Sequence, residues 1–404
     1  MTARTEPVTT LKTEPSVTGA ARVVGAHQGA RPGPTLIVVG AMHGNEPAGL
    51  HAAHRILDDL AAAEPADFAG RFVALAGNLA AIADDDPHLR YVTRDLNRMW
   101  TTEGVRLALD TPPEDRHSEQ HELVELLGTI EQELAQATGP VVLIDLHSVS
   151  SESPPFVFVE DSLPARRLAM AFEIPIVLGF EEELSGLLVD YCTNELGITA
   201  MVIEGGIHDD PATTDALGHA IRVALDAIGA WPIDHSSDDA SPNAALDRFA
   251  RGHGRLVYDV RYRYPILHEQ FRIDPRLQAF DPIRRDSQVV ALDAQNQVTS
   301  PIKGLLFMPN RQPRALPGDD GFFIVRRVGM FWLNCSAMLR TRGALHGLLI
   351  RLAPGVARDP GSPHRLLVDP DLAVACKREV FHLLGYRIIR QGENRSMSRR
   401  WLSA

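Results

Sequence analysis

The sequence predicts an α/β fold, a mixed and largely parallel sheet flanked by helices, with a smaller β-rich C-terminal domain and a helical tail. Three observations predict it. From about residue 21 to about residue 232, short apolar or β-branched runs alternate with amphipathic stretches, the pattern of helices packed on a largely parallel sheet. The run PIDHSSDDASPN around Pro232–Asn243 is polar, acidic and bounded by prolines, as a linker is. Beyond it, runs such as LVYDV, QVVALD, GLLFMP and FFIVRRV are punctuated by Gly, Pro and Asp, which reads as β structure.

The elements follow in order. Residues 1–20 lack the apolar core of a signal peptide and are expected as a mobile polar tail. Residues 21–232 are expected to form the first, α/β domain. Its strands are placed at Thr35–Val39, Phe72–Ala76, Val141–Leu146, Phe156–Val159, Ile176–Leu178 and Ala200–Ile203, where apolar runs are short and bounded by turn residues. Between them Ala48–Ala63, Ser118–Ala137, Leu163–Phe172, Glu182–Leu196 and Thr213–Ile228 carry helical spacing, and Pro47 sits where a first-turn proline is tolerated. Residues 233–244 are the linker and 245–328 the β-rich domain. Residues 329–404 are expected to be mainly helical, with helices at Phe331–Leu352 and near Leu372–Leu384.

Composition removes several classes of function. The 404 residues are 45% apolar and 23% charged, enough for one sizeable core and a smaller second domain. Forty Lys and Arg stand against 52 Asp and Glu, a formal charge of -12, which disfavours nucleic acid or an anionic membrane as the main partner. Basic residues must then act locally, inside a pocket. Cys192, Cys335 and Cys376 are far apart without C-x-x-C spacing, so neither a disulfide framework nor a cysteine zinc site is expected, and a cytoplasmic location fits. No apolar run reaches the roughly 18 residues of a membrane span.

The chemistry is concentrated at strand ends. TLIVVGAMHGNEPAGL sets His43 and Glu46 directly after a buried strand and before a helix. VVLIDLHS does the same for His147, and AMVIEGG for Glu204. Core strands are normally filled with apolar side chains, so four such residues at carboxyl strand ends point to one shared site at the sheet edge where α/β proteins bind ligands. Two imidazoles and a carboxylate make the ligand set of a catalytic zinc, one ion per chain, with the fourth position left for water. Zinc brings its water to a pKa of about 7. A carboxylate outside the ligand set must then move that water's proton, and Glu204 is the candidate.

At these residues the sequence resembles the succinylglutamate desuccinylase and aspartoacylase family, built on a zinc carboxypeptidase-like fold. The resemblance rests on G-A-M-H-G-N-E (Gly40–Glu46), R-D-L-N-R (Arg94–Arg98), D-L-H (Asp145–His147) and I-E-G-G (Ile203–Gly206), in the family's order. It extends more weakly through SPIKGLLFMPNRQPRALPGDDGFF, so that it covers roughly residues 35–330. The resemblance implies that His43, Glu46 and His147 hold zinc and that Glu204 is the general acid/base. It implies too that Arg90 polarises the scissile carbonyl, while Asn97 and Arg98 grip a substrate carboxylate, for which a guanidinium fork is well matched. Arg94 stands as the alternative to Arg90.

The activity expected is removal of a succinyl- or acetyl-type acyl group from a carboxylate-bearing N-acyl amino acid, in a monomer or a homo-oligomer. A zinc carboxypeptidase acting on short peptides, and a non-catalytic carboxylate-binding scaffold, are the alternatives. His117 and His121 in HSEQH read as a solvated helix face, and His51, His54, His208 and His253 as structural, with His208 close enough to Glu204 to touch the cleft rim. There is no G-x-S-x-G elbow, no G-x-x-x-x-G-K-[ST] loop and no G-x-G-x-x-G opening a helix.

Overall fold

Alternation along the second strand shows how the layers arise. Leu36 and Val38 turn to one face of the sheet and Ile37 and Val39 to the other, and all four are fully buried. A strand buried on both faces must be covered by helices on both sides, which is what a largely parallel sheet requires. The computed structural model describes residues 21–233, 241–312, 315–341, 356–358, 365–368, 378–391 and 394–399. The expected N-terminal tail, most of the linker and Cys376 lie outside these.

Eight strands build the first part: β1 (Val23–Gln28), β2 (Arg31–Gly40), β3 (Ala69–Ala76), β4 (Val141–Val149), β5 (Phe156–Phe158), β6 (Ile176–Leu178), β7 (Thr199–Ile207) and β8 (Val257–Pro265). After them come β9 (Arg272–Ile273), β10 (Pro282–Ile283), β11 (Val289–Asp293), β12 (Asn296–Thr299), β13 (Gly304–Phe307) and β14 (Asp320–Val328). Eleven of these form one sheet, ordered β1-β3-β2-β4-β7-β5-β6-β8-β14-β13-β10. The pairs β2–β3, β2–β4, β4–β7, β5–β6 and β6–β8 are parallel; β1–β3, β5–β7 and the pairs beyond β8 are antiparallel.

One face carries the helices Ala48–Ala62, Leu163–Ala169, Pro211–Ala227 and Pro242–Ala250, closed over Leu36, Val38, Ile144, Leu146, Met201 and Ile203. The other carries Thr102–Asp110, Ser118–Gln136 and Leu188–Asn194, closed over Ile37, Val39, Leu143 and Val202. Five of these helices match the expected segments; Thr102–Asp110 and Pro242–Ala250 are additions. The second begins inside the expected linker, where Ser241 accepts the N–H of Ala244 as an N-cap and Pro242 opens the first turn.

The segment read as a β-rich domain is divided between two sheets. Ile176 opposite Val257, Val177 opposite Tyr258 and Leu178 opposite Asp259 tie β8 to β6, so β8, β14, β13 and β10 prolong the large sheet. Strands β12, β11 and β9 form a separate antiparallel sheet. Phe280, Phe307 and Phe323 pack with Phe156 and Phe180 of the first part, so the two halves share one aromatic core.

The tail departs from the expected mainly helical character. Helices Met330–Thr341 and Arg378–Leu383 occur near the expected places, but β15 (Val356–Arg358), β16 (Arg365–Val368), β17 (Tyr386–Gln391) and β18 (Asn394–Arg399) form a four-stranded antiparallel sheet. Runs of three to six residues offer too little periodicity to separate strand from helix. The tail is held to the first part through Asp161, whose fully buried carboxylate receives Arg340 at 2.9 Å and also Arg387. Arg387 reaches Asp259 at 3.0 Å, and His382 reaches Glu182 at 2.8 Å. Among the described residues no helix is long and apolar enough to cross a membrane.

Candidate active site

The carboxyl ends of β2, β4 and β7 converge on one cavity of about 250 Å³. Past β2 the chain turns sharply, with Ala41 in the left-handed region at φ 52°, and throws His43 and Glu46 back over the sheet edge. Gly44 is needed there because neighbouring backbone comes close to it. A Cβ on it would lie 2.6 Å from the carbonyl oxygens of both Ala81 and Leu89. The glycine therefore lets the segment carrying Arg90 press against the turn, where the Gly44 N–H donates to the Arg90 carbonyl at 3.1 Å.

On β4 the two-residue period sets Asp145 and His147 on the same face. His147 lies opposite Glu204 across the parallel β4–β7 pair. Glu46 is the hub of the cluster. Its Oε1 meets His43 Nδ1 at 3.0 Å, and its Oε2 meets His147 Nδ1 at 3.0 Å and accepts the Ser148 N–H at 3.1 Å. The imidazole centroids are 5.0 Å apart. One ligand atom from each of His43, Glu46 and His147 can be chosen so that all lie within 4.8 Å of one another, and all three residues are buried. This is a donor set that could hold a divalent cation.

The far nitrogens of both rings rest on carboxylates. His43 Nε2 lies 3.0 Å from Asp95 Oδ1 and His147 Nε2 lies 2.9 Å from Asp145 Oδ2. A carboxylate on the outer nitrogen fixes the ring's tautomer and raises its basicity toward a metal. Burial opposes ionisation of Glu46, yet His43 and His147 hold its carboxyl well below the usual range. Burial likewise works against charge on His147, and the Asp145 carboxylate outweighs it, so that imidazole is pushed up.

Glu204 is 5% exposed, and its Oε2 has no hydrogen-bond partner among the described residues. Burial pushes its carboxyl up to about 8; the His147 charge opposes this and the Glu46 charge adds to it. Such a group can hold and release a proton near neutral pH.

The loop with the arginines is organised from the Ser118–Gln136 helix. Glu119, with no exposed surface, accepts the N–H groups of Val92 at 2.6 Å, Thr93 at 3.1 Å and Arg94 at 3.2 Å. That corrects the reading of HSEQH as a wholly solvated face, although His121 is exposed. Arg90 lines the cavity and donates to Glu46 at 2.9 Å and to Asp95 at 3.2 Å. Arg94 is exposed and is not among the residues lining the cavity.

Asn97 and Arg98 both line the cavity, with different freedom. Asn97 is 4% exposed; its Oδ1 accepts the Leu188 N–H at 2.8 Å and its Nδ2 donates to Asp145 at 3.2 Å. Its amide is engaged by protein at both ends. Arg98 donates to Asp320 of β14 at 2.8 Å and to the Asn97 carbonyl at 2.8 Å. Gly186, at φ 79°, permits a close approach, since a Cβ there would lie 2.3 Å from the Arg98 carbonyl oxygen.

Several residues of the site were not anticipated. Asp95 and Asp145 lay inside the quoted motifs, and the same-face relation of Asp145 to His147 follows from strand period. His208, expected as a structural residue at the cleft rim, does line the cavity, with Nδ1 2.8 Å from the Ser148 hydroxyl. Met308–Asn310, Gln312, Gly318–Asp320 and Arg263 close the cavity from the C-terminal side, and no local pattern announces them.

Comparison with known proteins places this arrangement. Residues 32–224 match the family model described as Succinylglutamate desuccinylase/Aspartoacylase catalytic domain. The match covers just under half of the chain and takes in His43, Glu46, His147 and Glu204, so this part of the chain is similar to the catalytic domain of succinylglutamate desuccinylases and aspartoacylases. A succinylglutamate desuccinylase/aspartoacylase from Rhodobacter sphaeroides shares the fold at 18% identity and TM-score 0.54, with 75% of this chain and 88% of that one covered. The ectoine utilization protein EutE (DoeB) from Ruegeria pomeroyi, in a product-bound structure, does so at 17% identity and TM-score 0.53, covering 74% and 87%. A succinylglutamate desuccinylase from Vibrio parahaemolyticus does so at 14% identity and TM-score 0.52, covering 84% and 86%. No protein of curated function matches the chain in sequence.

Proposed function

We propose that the protein is a zinc-dependent amidohydrolase that removes an acyl group of succinyl or acetyl type from a carboxylate-bearing N-acyl amino acid. The observation that carries this reading is the gathering of His43, Glu46 and His147, with ligand atoms within 4.8 Å, beside a buried Glu204. The donor set fits zinc because two imidazoles and one carboxylate are presented together and both rings are backed by carboxylates. Zinc held there supplies Lewis acidity and a water of pKa about 7.

The chain's own residues supply the rest. Glu204 takes the proton from the attacking water and hands it to the leaving nitrogen, a role open to a buried carboxylate that stands outside the candidate ligand set. Arg90, braced by Glu46 and Asp95, donates to the carbonyl oxygen as negative charge develops on it. Arg98 engages the substrate carboxylate. Asn97 supports this indirectly, by holding Asp145 behind His147. Closure by residues 308–312 and 318–320 leaves a cavity of about 250 Å³, suited to a small acyl amino acid and too small for an extended peptide.

The test is a panel of N-acetyl and N-succinyl amino acids and dipeptides, assayed for free amine before and after chelation and after zinc is restored. Cleavage of the acyl amino acids, lost with chelator and regained with zinc, is expected. Chelator-resistant turnover overturns the metal mechanism, and preferential cleavage of dipeptides replaces the deacylase with a carboxypeptidase.

A further inference from the structure

Two strands far along the chain from the metal ligands reach the cavity with charge. Arg263 on β8 and Asp320 on β14 both line it. Asp320 stands between two guanidiniums: its Oδ2 accepts from Arg98 at 2.8 Å, and its Oδ1 is ion-paired with Arg263 Nε. Arg263 is held a second time by Nη2 donating to the Gly318 carbonyl at 3.1 Å. Its Nη1 has no acceptor among the described residues, and its side chain is 25% exposed.

The corner differs from the surroundings of Arg90, all of whose guanidinium nitrogens donate to Glu46 or Asp95. Arg98 and Arg263 share Asp320, and Arg263 keeps a nitrogen without an acceptor among the described residues. Asp319, the neighbouring acid, uses its Oδ2 on the Leu316 N–H of its own turn. A pair of guanidiniums fixed in place before ligand arrives, with an N–H to spare, suits a carboxylate, because little side-chain freedom remains to be lost on binding.

We propose that Arg263 is a substrate-binding residue that grips the same substrate carboxylate as Arg98, and that Asp320 is the positioning residue holding both guanidiniums at the cavity wall. This rests on the deacylase reading and adds that carboxylate recognition is completed by the C-terminal half of the sheet. Without β8 and β14 the site would bind the acyl group and lack half of its grip on the amino acid.

The experiment compares N-acetyl-alanine with N-acetyl-alanine amide, which differ only in the carboxylate, using zinc-loaded wild type, Arg263→Met and Arg263→Lys. Arg263→Met is expected to lower the acid-over-amide ratio of kcat/KM by about tenfold or more, the scale of one charge-assisted hydrogen bond. The change lies in KM for the acid, kcat stays within about threefold, and Arg263→Lys falls between. An unchanged ratio in Arg263→Met, or equal losses on acid and amide, overturns the proposal. If Arg263→Met does not fold, Arg263→Lys decides by the same ratio. If wild type cleaves neither compound, the deacylase reading fails separately. Calorimetric binding of the acid to wild type and variant then judges Arg263, with equal affinities, or no binding to wild type, counting against it.

Discussion

The N–H of Gly44 donates to the carbonyl of Arg90 at 3.1 Å, joining the turn that presents two candidate metal ligands to the loop that presents the arginine proposed to polarise the carbonyl. Replacement by alanine sets a Cβ 2.6 Å from two backbone oxygens, so turn and loop must separate. We expect Gly44→Ala to lower kcat/KM by about a hundredfold, since misplacement by about 1 Å has that consequence. Metal content should fall with it. Unchanged activity with full zinc content would show that the loop adapts.

Glu204 stands beside the candidate metal ligands and outside that group. Glu204→Gln keeps the shape and removes the proton shuttle, so kcat should fall by roughly 10² to 10⁴ while zinc content and thermal midpoint hold. Loss of zinc in this variant would instead make Glu204 a ligand.

Glu119 acts at a distance from the chemistry. Its buried carboxylate accepts three successive N–H groups, and Glu119→Ala leaves them without partners at about 1 to 3 kcal/mol each where they are shielded from water. Hydrogen exchange at Val92, Thr93 and Arg94 should accelerate, and activity should fall with zinc retained. Exchange unchanged at these amides would remove Glu119 from its bracing role.

Stability should carry a pH signature from Glu181. Burial pushes this carboxyl up to about 7; the Arg387 charge opposes the shift and the Asp161 charge adds to it. A raised folded value means that its contribution is fully present below the unfolded pKa, near 4.5, and is lost as pH rises through about 7. Glu181→Gln should therefore raise the thermal midpoint at pH 8 by a few degrees and leave it nearly unchanged at pH 4. An equal shift at both pH values would assign the effect to packing.

Much of this molecule was legible residue by residue. Strands β2 through β7 were found from short apolar runs, because burial on both sheet faces leaves a mark within a few residues. The candidate ligands were found because a histidine or glutamate ending such a run has no place in an apolar core. Arg90 and Arg94 could not be separated that way, since the loop between His88 and Asp95 has no regular period. Glu119, a buried acid on a polar-looking helix turn, decides which arginine faces inward.

The sequence by itself determined the α/β alternation, the strand-end chemistry of His43, Glu46, His147 and Glu204, and the family resemblance, because each depends on contacts within a few positions of the chain. Tertiary structure alone decided that β8 pairs with β6, that one sheet runs through both halves, and that Asp320 meets Arg98. Those pairings join residues 81 to 222 positions apart, and strand periodicity carries no information about which distant strand will supply the missing hydrogen bonds.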